Sequence, residues 1–370
     1  MTLIIGGSIS GLYAGIRLAK SRIESFLFEK NSEEIEKRKL IITPEILRFI
    51  KIPEEIILNR INKFEIISKN QKVKFEIKEP DIVVDRKSMI KYLENTALKE
   101  DVKILKEREF EKIFKDKNGW VAEFKIIGTD KKEYYRFKKL IGANGANSEI
   151  LKSIKKDVNL LYILQAEIVL PSNYKKDTVY VWIDKKYTDF FVWLIPCSEK
   201  TGVCGICLEN KKTKEKLDEF LKDKNFEIIG YEGGIVPFYE PSLYPEIKLD
   251  GGDIYLIGDA GMQIKMTTVG GTLTGLWGAF CVSESISKNL PFERFYKNLK
   301  KELDIHFYIR KVLSRMDEFE YDRFLMRTSK KLKQFFYLIS RDKLRKIFLK
   351  ILLREPYLLY LGARKIWKNT

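Results

Sequence analysis

The apolar positions of this chain fall into distinct textures. Leu3-Ile4-Ile5 runs straight into Gly6-Gly7-Ser8-Ile9-Ser10-Gly11, and apolar residues return at Leu12, Ile16 and Leu18. A short apolar run closed by glycine reads as a buried strand, and the spacing after it reads as a helix to Lys20. Ser25-Phe26-Leu27-Phe28 predicts a second strand, ending in Glu29. The order recurs late in the chain: Ile254–Ile257 ends in Gly258-Asp259-Ala260, and Gly270-Gly271 opens a helix from Thr272 to Ser287. From Leu160 to Pro237 the texture changes. Val179-Tyr180-Val181-Trp182, Phe190 to Pro196 and Gly202 to Cys207 read as antiparallel strands rich in aromatics. From Pro291 the spacing is helical, first over Phe292 to Arg315 and then through an apolar and basic tail, Lys330 to Lys368.

Strand, glycine turn and helix at the start form the first half of a βαβ unit. Gly6 allows the tight turn, Ser8 keeps the middle position small, and Gly11 lets the helix approach the strand. With Gly7 and Ser10 these residues form a candidate pyrophosphate cradle, because a helix N-terminus offers amide donors and a positive dipole end. Glu29 lies about twenty residues beyond the turn, where a ribose-hydroxyl acceptor is expected, with Lys30 beside it. An acid there suits FAD or NAD rather than a 2′-phosphate. The alternative is a tight turn in an unrelated α/β protein.

The later corner narrows the choice. Asp259, fixed at a strand end, suits a ribityl hydroxyl and the adjacent phosphate. Amides at the Gly270-Gly271 helix end, with Thr268 before them, suit negative charge on a reduced flavin. The run IYLIGDAGMQIKMTTVGGTLTG resembles the GD box of FAD enzymes with the para-hydroxybenzoate hydroxylase fold. It is most similar to the box of the geranylgeranyl reductase family, GDAAGQVKPTTGGG. Met266 stands at the family's proline and Val269 at one of its glycines. The resemblance implies FAD as cofactor and a Rossmann-like FAD-binding domain. It further implies an inserted antiparallel β-sheet substrate domain, with a C-terminal helical region following. It also implies hydride transfer from reduced flavin to C=C bonds of isoprenoid chains of archaeal-type membrane lipids. A flavin-dependent monooxygenase or halogenase acting on an aromatic substrate shares the fold and both boxes, and is the alternative.

Other segments follow in family order. Asp85-Arg86-Lys87-Ser88-Met89 resembles the segment whose arginine lies near the pyrophosphate, making Arg86 a cofactor candidate; a solvated helix-start arginine is the other reading. Leu140 to Ser148 resembles the GADGxxS turn, with Asn144 in place of aspartate. Phe191-x-Trp193-x-Ile195-Pro196 resembles the YxWxFP segment of geranylgeranyl reductases and the WxWxIP segment of halogenases. Phe191, Trp193 and Pro196 are therefore substrate-wall candidates, or plain core. The family's cysteine-containing segment after the second strand has no counterpart in NSEEIEKRKLIITPEIL. Cys204-x-x-Cys207 lies on a strand, where residues three apart face opposite sides; small strand residues fit better than zinc or a dithiol. No metal site is expected, and no catalytic residue stands out.

Composition adds bounds. The 370 residues are 45% hydrophobic and 12% aromatic, and no apolar run is long enough to span a bilayer. Four cysteines do not make a disulfide framework. With four cysteines and no basic n-region at the start, a cytoplasmic protein is expected, with peripheral contact at the inner face of the membrane as a second expectation. The net charge of +17 and the basic amphipathic tail fit an anionic membrane or a packed helical cap with a solvated face, and nucleic acid is not expected. The predicted division is an FAD domain of 1–60, 80–158 and 246–290, a sheet domain of 61–79 and 159–245, and a helical region of 291–370. With only one dinucleotide fingerprint, electrons must come from a transient donor, either a ferredoxin-like protein or NAD(P)H.

Overall fold

The computed structural model describes residues 1–33, 38–154, 157–345 and 364; strands and helices are numbered in chain order. Two compact units emerge: Met1–Glu36, Lys87–Leu160 and Val236–Leu303 form the first, and Lys37–Arg86, Leu161–Ile235 and Asp304–Thr370 the second.

In the first unit, β1 (Thr2–Ile5) is buried at every position. It pairs in parallel with β2 (Ser25–Glu29) on one side and β10 (Lys139–Gly142) on the other. β6 (Lys103–Lys106) and β17 (Gly252–Leu256) extend the parallel sheet, and β16 (Glu246–Leu249) adds an antiparallel edge. The order is β16-β17-β10-β1-β2-β6. Parallel strands put the carboxyl ends of β1, β2, β10 and β17 on one edge, the usual position of a ligand crevice in a doubly wound sheet. The helices of this unit are α1 (Ile9–Lys20), α2 (from Arg86 to Lys99), α3 (Glu149–Ile154), α5 (Thr272–Lys288) and the first part of α6 (Phe292–Ser314). A separate antiparallel sheet, β7 (Arg108–Asp116), β8 (Gly119–Ile126) and β9 (Lys132–Phe137), stacks Phe124 on Phe28 of β2 with centroids 4.0 Å apart.

The second unit is built on an eight-stranded sheet, ordered β15-β11-β14-β13-β12-β4-β5-β3. Its strands are β3 (Lys39–Ile42), β4 (Ile57–Ile67), β5 (Lys72–Asp85), β11 (Leu160–Val169), β12 (Thr178–Trp182), β13 (Val192–Pro196), β14 (Thr201–Leu208) and β15 (Ile228–Pro237). Along β13 and β14, Val192, Leu194, Cys204 and Ile206 turn to one face and pack on Leu217, Phe220 and Leu221 of α4 (Thr213–Asp223). The edges of the sheet curl toward each other. Arg38, just before β3, lies against Gly234 of β15, and Gln165 of β11 donates to the Lys39 carbonyl. Helix α7 (Glu318–Leu338) starts with a capping box between Asp317 and Glu320.

The units divide the chain at different points from those expected. Residues 38–60 and 80–86 fall in the second unit, because β3 and β4 both pair with β5. The helical region is also shared, with α6 passing the boundary after Leu303. The sheet is not wholly antiparallel: β4 and β12 run parallel. They come from separate excursions of the chain, so no hairpin dictates their direction.

Candidate functional site

The first glycine corner is fixed by close contacts. Gly6 adopts φ +106°, and a Cβ there would lie 2.5 Å from the Ala143 carbonyl oxygen, so glycine is required on both grounds. A Cβ on Gly11 would overlap the Gly6 carbonyl. Ser8 is more than a small filler: it is the N-cap of α1, its hydroxyl accepting from the Gly11 N–H at 3.2 Å. Glu29 Oε2 accepts the Gly7 N–H at 2.7 Å and Oε1 accepts the Asn31 N–H at 2.8 Å. The carboxylate is thus locked beside the turn with acceptor capacity left over. Lys30 is exposed.

The second corner meets the first. Ser10 is buried, and its hydroxyl lies against Gly258 and Gly275, where Cβ atoms would crowd it. The Arg17 guanidinium of α1 pairs with Glu284 of α5. Gly258 adopts φ +62°, and Asp259 lies beside Gly271, whose Cβ would come 3.1 Å from Asp259 Oδ1. Gln263 belongs to this corner without being among the site candidates read from the sequence. It is fully buried; its Oε1 accepts the Gly258 N–H at 2.8 Å and its Nε2 donates to the Leu256 carbonyl at 3.4 Å. Thr274 Oγ1 donates to the Gln263 carbonyl. A side chain at Gly278 would collide with Gln263. The signal was present in the spacing of Gly271, Gly275 and Gly278, which marks one small-residue face of α5.

The departures from the family box also have physical accounts. Met266, at the proline position, is buried, and its sulfur accepts the Tyr239 N–H at 3.2 Å. Val269, at a glycine position, takes φ +52°, a left-handed conformation costly for a β-branched residue. Lys265 and Gly270 form an isolated bridge that closes the loop.

The donor set fits a dinucleotide. Gly6, Gly7, Ser8, Ser10 and Gly11 set the N-terminus of α1, Glu29 offers ribose acceptors, and Gly258, Asp259, Thr268, Gly270 and Gly271 gather at the start of α5. Among the described residues, Asn144 Oδ1, after β10, and Thr268 Oγ1 are buried without a hydrogen-bond partner, as expected where a polar ligand completes the site. Arg86 opens α2, and its N–H donates to the Arg38 carbonyl at 3.1 Å. It lies at the end of a segment of the second unit.

The substrate candidates lie in the second unit. Trp193 and Ile195 turn to the face opposite the α4 core. Gln165, Gly205, Trp193 and Val181 form one cross-strand row. The indole lies over Gly205, where any Cβ would overlap the ring. Phe191, half-buried, packs on Trp193 with centroids 5.7 Å apart; Pro196 is buried at the strand end. At one end of this face Arg310 is buried, stacks 4.5 Å from the Phe190 ring and donates to the Asp189 carbonyl. All four cysteines are free and buried. Burial pushes the Cys197 thiol up to about 12 and raises Cys204 and Cys207 further, so neither thiol of the Cys204-x-x-Cys207 pair is activated.

Residues 1–240 match the FAD binding domain family. An uncharacterised protein of Methanocaldococcus jannaschii is 29% identical over 251 residues, covering 63% of this chain and 61% of that protein's length. A geranylgeranyl diphosphate reductase of Synechocystis is 24% identical over 335 residues, covering 81% of this chain and 80% of that one. Among solved structures, a geranylgeranyl bacteriochlorophyll reductase-like protein of Thermoplasma acidophilum superposes with a TM-score of 0.78 at 18% identity, covering 99% of this chain and 96% of the other. The chain therefore belongs to the FAD binding domain family, and it shares the fold of the geranylgeranyl bacteriochlorophyll reductase-like protein.

Proposed function

We propose that this protein saturates isolated C=C bonds in isoprenoid chains of archaeal-type membrane lipids. The observation that carries the reading is the apolar face of the second unit: Val181, Trp193 and Ile195 in register, with Gly205 left bare so that the indole lies flat. Such a wall offers dispersion contacts to a long hydrocarbon. The GD box of geranylgeranyl reductase type and the Synechocystis relative support the same class of substrate.

When bound, FAD supplies the hydride that one alkene carbon receives, while a proton adds to the other. The chain's own part is to hold and to exclude. Glu29 would bind the ribose hydroxyls, and the N-terminal amides of α1 would face the pyrophosphate. The start of α5 at Gly271 would favour negative charge beside it. Trp193 and its neighbours would offer the hydrocarbon chain an apolar wall that excludes water. Electrons arrive from a transient donor, a ferredoxin-like protein or NAD(P)H, in the cytoplasm.

A second reading has one observation in its favour: Trp193-x-Ile195-Pro196 matches the latter part of the halogenase segment WxWxIP. Oxygen separates the two. A reductase forms its product anaerobically from reduced flavin; a monooxygenase or halogenase needs air. Product that forms only in air overturns the reductase reading.

A further inference from the structure

We propose that the outer face of α7 docks the protein onto a bilayer surface carrying anionic headgroups. The inference rests on the proposed function for why a lipid surface should be met, but its observations are independent of the flavin chemistry.

Helix α7 has two unlike sides. Its inner side is packed: Tyr321, Leu325 and Phe335 are buried, and Tyr321 and Phe324 join Met316, Val312 and Leu313 in one cluster. Its outer side exposes Phe319 at 75%, Met326 at 60%, Tyr337 at 48% and Leu338 at 71%. Arg323 and Lys333 are exposed on the same stripe. At 100° per residue, Phe319, Arg323, Met326, Lys333 and Tyr337 fall within one narrow face, about 27 Å long at 1.5 Å per residue. No acidic residue falls in it.

The acids of the helix are turned back to the protein. Glu318 pairs with Lys69 at 2.7 Å. Asp322 accepts from Asn70 Nδ2 at 2.7 Å and from the Ser68 hydroxyl. Glu320 closes the capping box on the Asp317 N–H at 3.0 Å. Beyond the helix, Arg341 pairs with Asp81, Asp342 accepts from Thr43 at 2.5 Å, and Lys343 pairs with Glu45 at 2.5 Å. The helix is thus held to the sheet at both ends while it presents large apolar side chains interleaved with cations. That composition is what an interfacial helix offers to an anionic membrane: apolar tips enter the acyl boundary and cations meet phosphates. Among the described residues no helix is long and apolar enough to cross a membrane, so the contact is one of lying on the surface.

The test is flotation of the purified, oxidised holoprotein with vesicles of phosphatidylglycerol and phosphatidylcholine, against phosphatidylcholine alone. The bound fraction should be about tenfold higher on anionic vesicles and fall with added salt. The Phe319→Asp/Met326→Asp variant should lose about tenfold of that binding with flavin absorbance and melting temperature unchanged. Arg323→Glu/Lys333→Glu should abolish the preference for anionic vesicles. Wild-type protein that ignores anionic vesicles, or a Phe319→Asp/Met326→Asp variant that floats as well as wild type, overturns the proposal. Reoxidation by detergent-dispersed isoprenoid lipid is measured separately, so a failed reductase reading leaves the docking result standing.

Discussion

Glu29 serves two purposes at once: it accepts two backbone N–H groups of its own chain and keeps lone pairs for a ribose. Glu29→Ala should weaken FAD binding by about 1–3 kcal/mol, measured by titrating apo-protein with FAD. An unchanged dissociation constant would remove Glu29 from the site. Gly278→Ala should push Gln263 out of its bonds to Gly258 and Leu256, at a cost of about 1–3 kcal/mol in a thermal or denaturant melt. The cysteines give a pH prediction. Burial raises the Cys197 thiol pKa to about 12, so the folded state favours the neutral form. That contribution is complete below the unfolded value of about 9 and is lost as pH rises toward 12. Stability should therefore fall on the alkaline side, and a thiol reagent at pH 8 should label native protein slowly and unfolded protein at all four cysteines. Glycine and acid positions were readable from sequence because each follows from a backbone demand. Ser8 as N-cap was not, since a serine in a glycine motif reads first as a substitution.

At the scale of elements, Gly205 and Trp193 are a matched pair on β14 and β13. Gly205→Ala should displace the indole and cost about 1–3 kcal/mol. Trp193 Nε1 is buried with no hydrogen-bond partner among the described residues, so Trp193→Phe leaves no new unpaired group and should change stability by less than about 1.5 kcal/mol. Trp193→Ala should keep flavin absorbance but impair turnover of lipid; a colourless Trp193→Ala protein would make the residue purely structural. The strand–turn–helix corners were legible because short apolar runs ending in glycine have few other readings. The parallel pairing of β4 with β12 was not, because pairing between distant segments leaves no local period. The long β4–β5 hairpin was blurred by the polar residues on its outer face, such as Lys72 and Lys74, which pair with the buried Glu65.

For the whole molecule, the two glycine corners meet through Ser10, Gly258 and Gly275. The division into units was less readable, since the sheet of the second unit collects strands from two separate stretches of chain, and helix α7 comes from a third. The basic tail from Lys330 to Lys368 was assigned to a membrane or to a packed cap. Its residues 346–363 and 365–370 lie outside the described part, and Arg341 turns inward to Asp81 rather than outward. The most direct test of the account is anaerobic. The flavin of the purified protein is reduced chemically, an unsaturated isoprenoid lipid is added, and flavin absorbance and product mass are followed. The account predicts that absorbance returns without oxygen and that the lipid gains two hydrogens for each double bond lost. A flavin that stays reduced with the lipid unchanged, and turns over only when air is admitted, would contradict it.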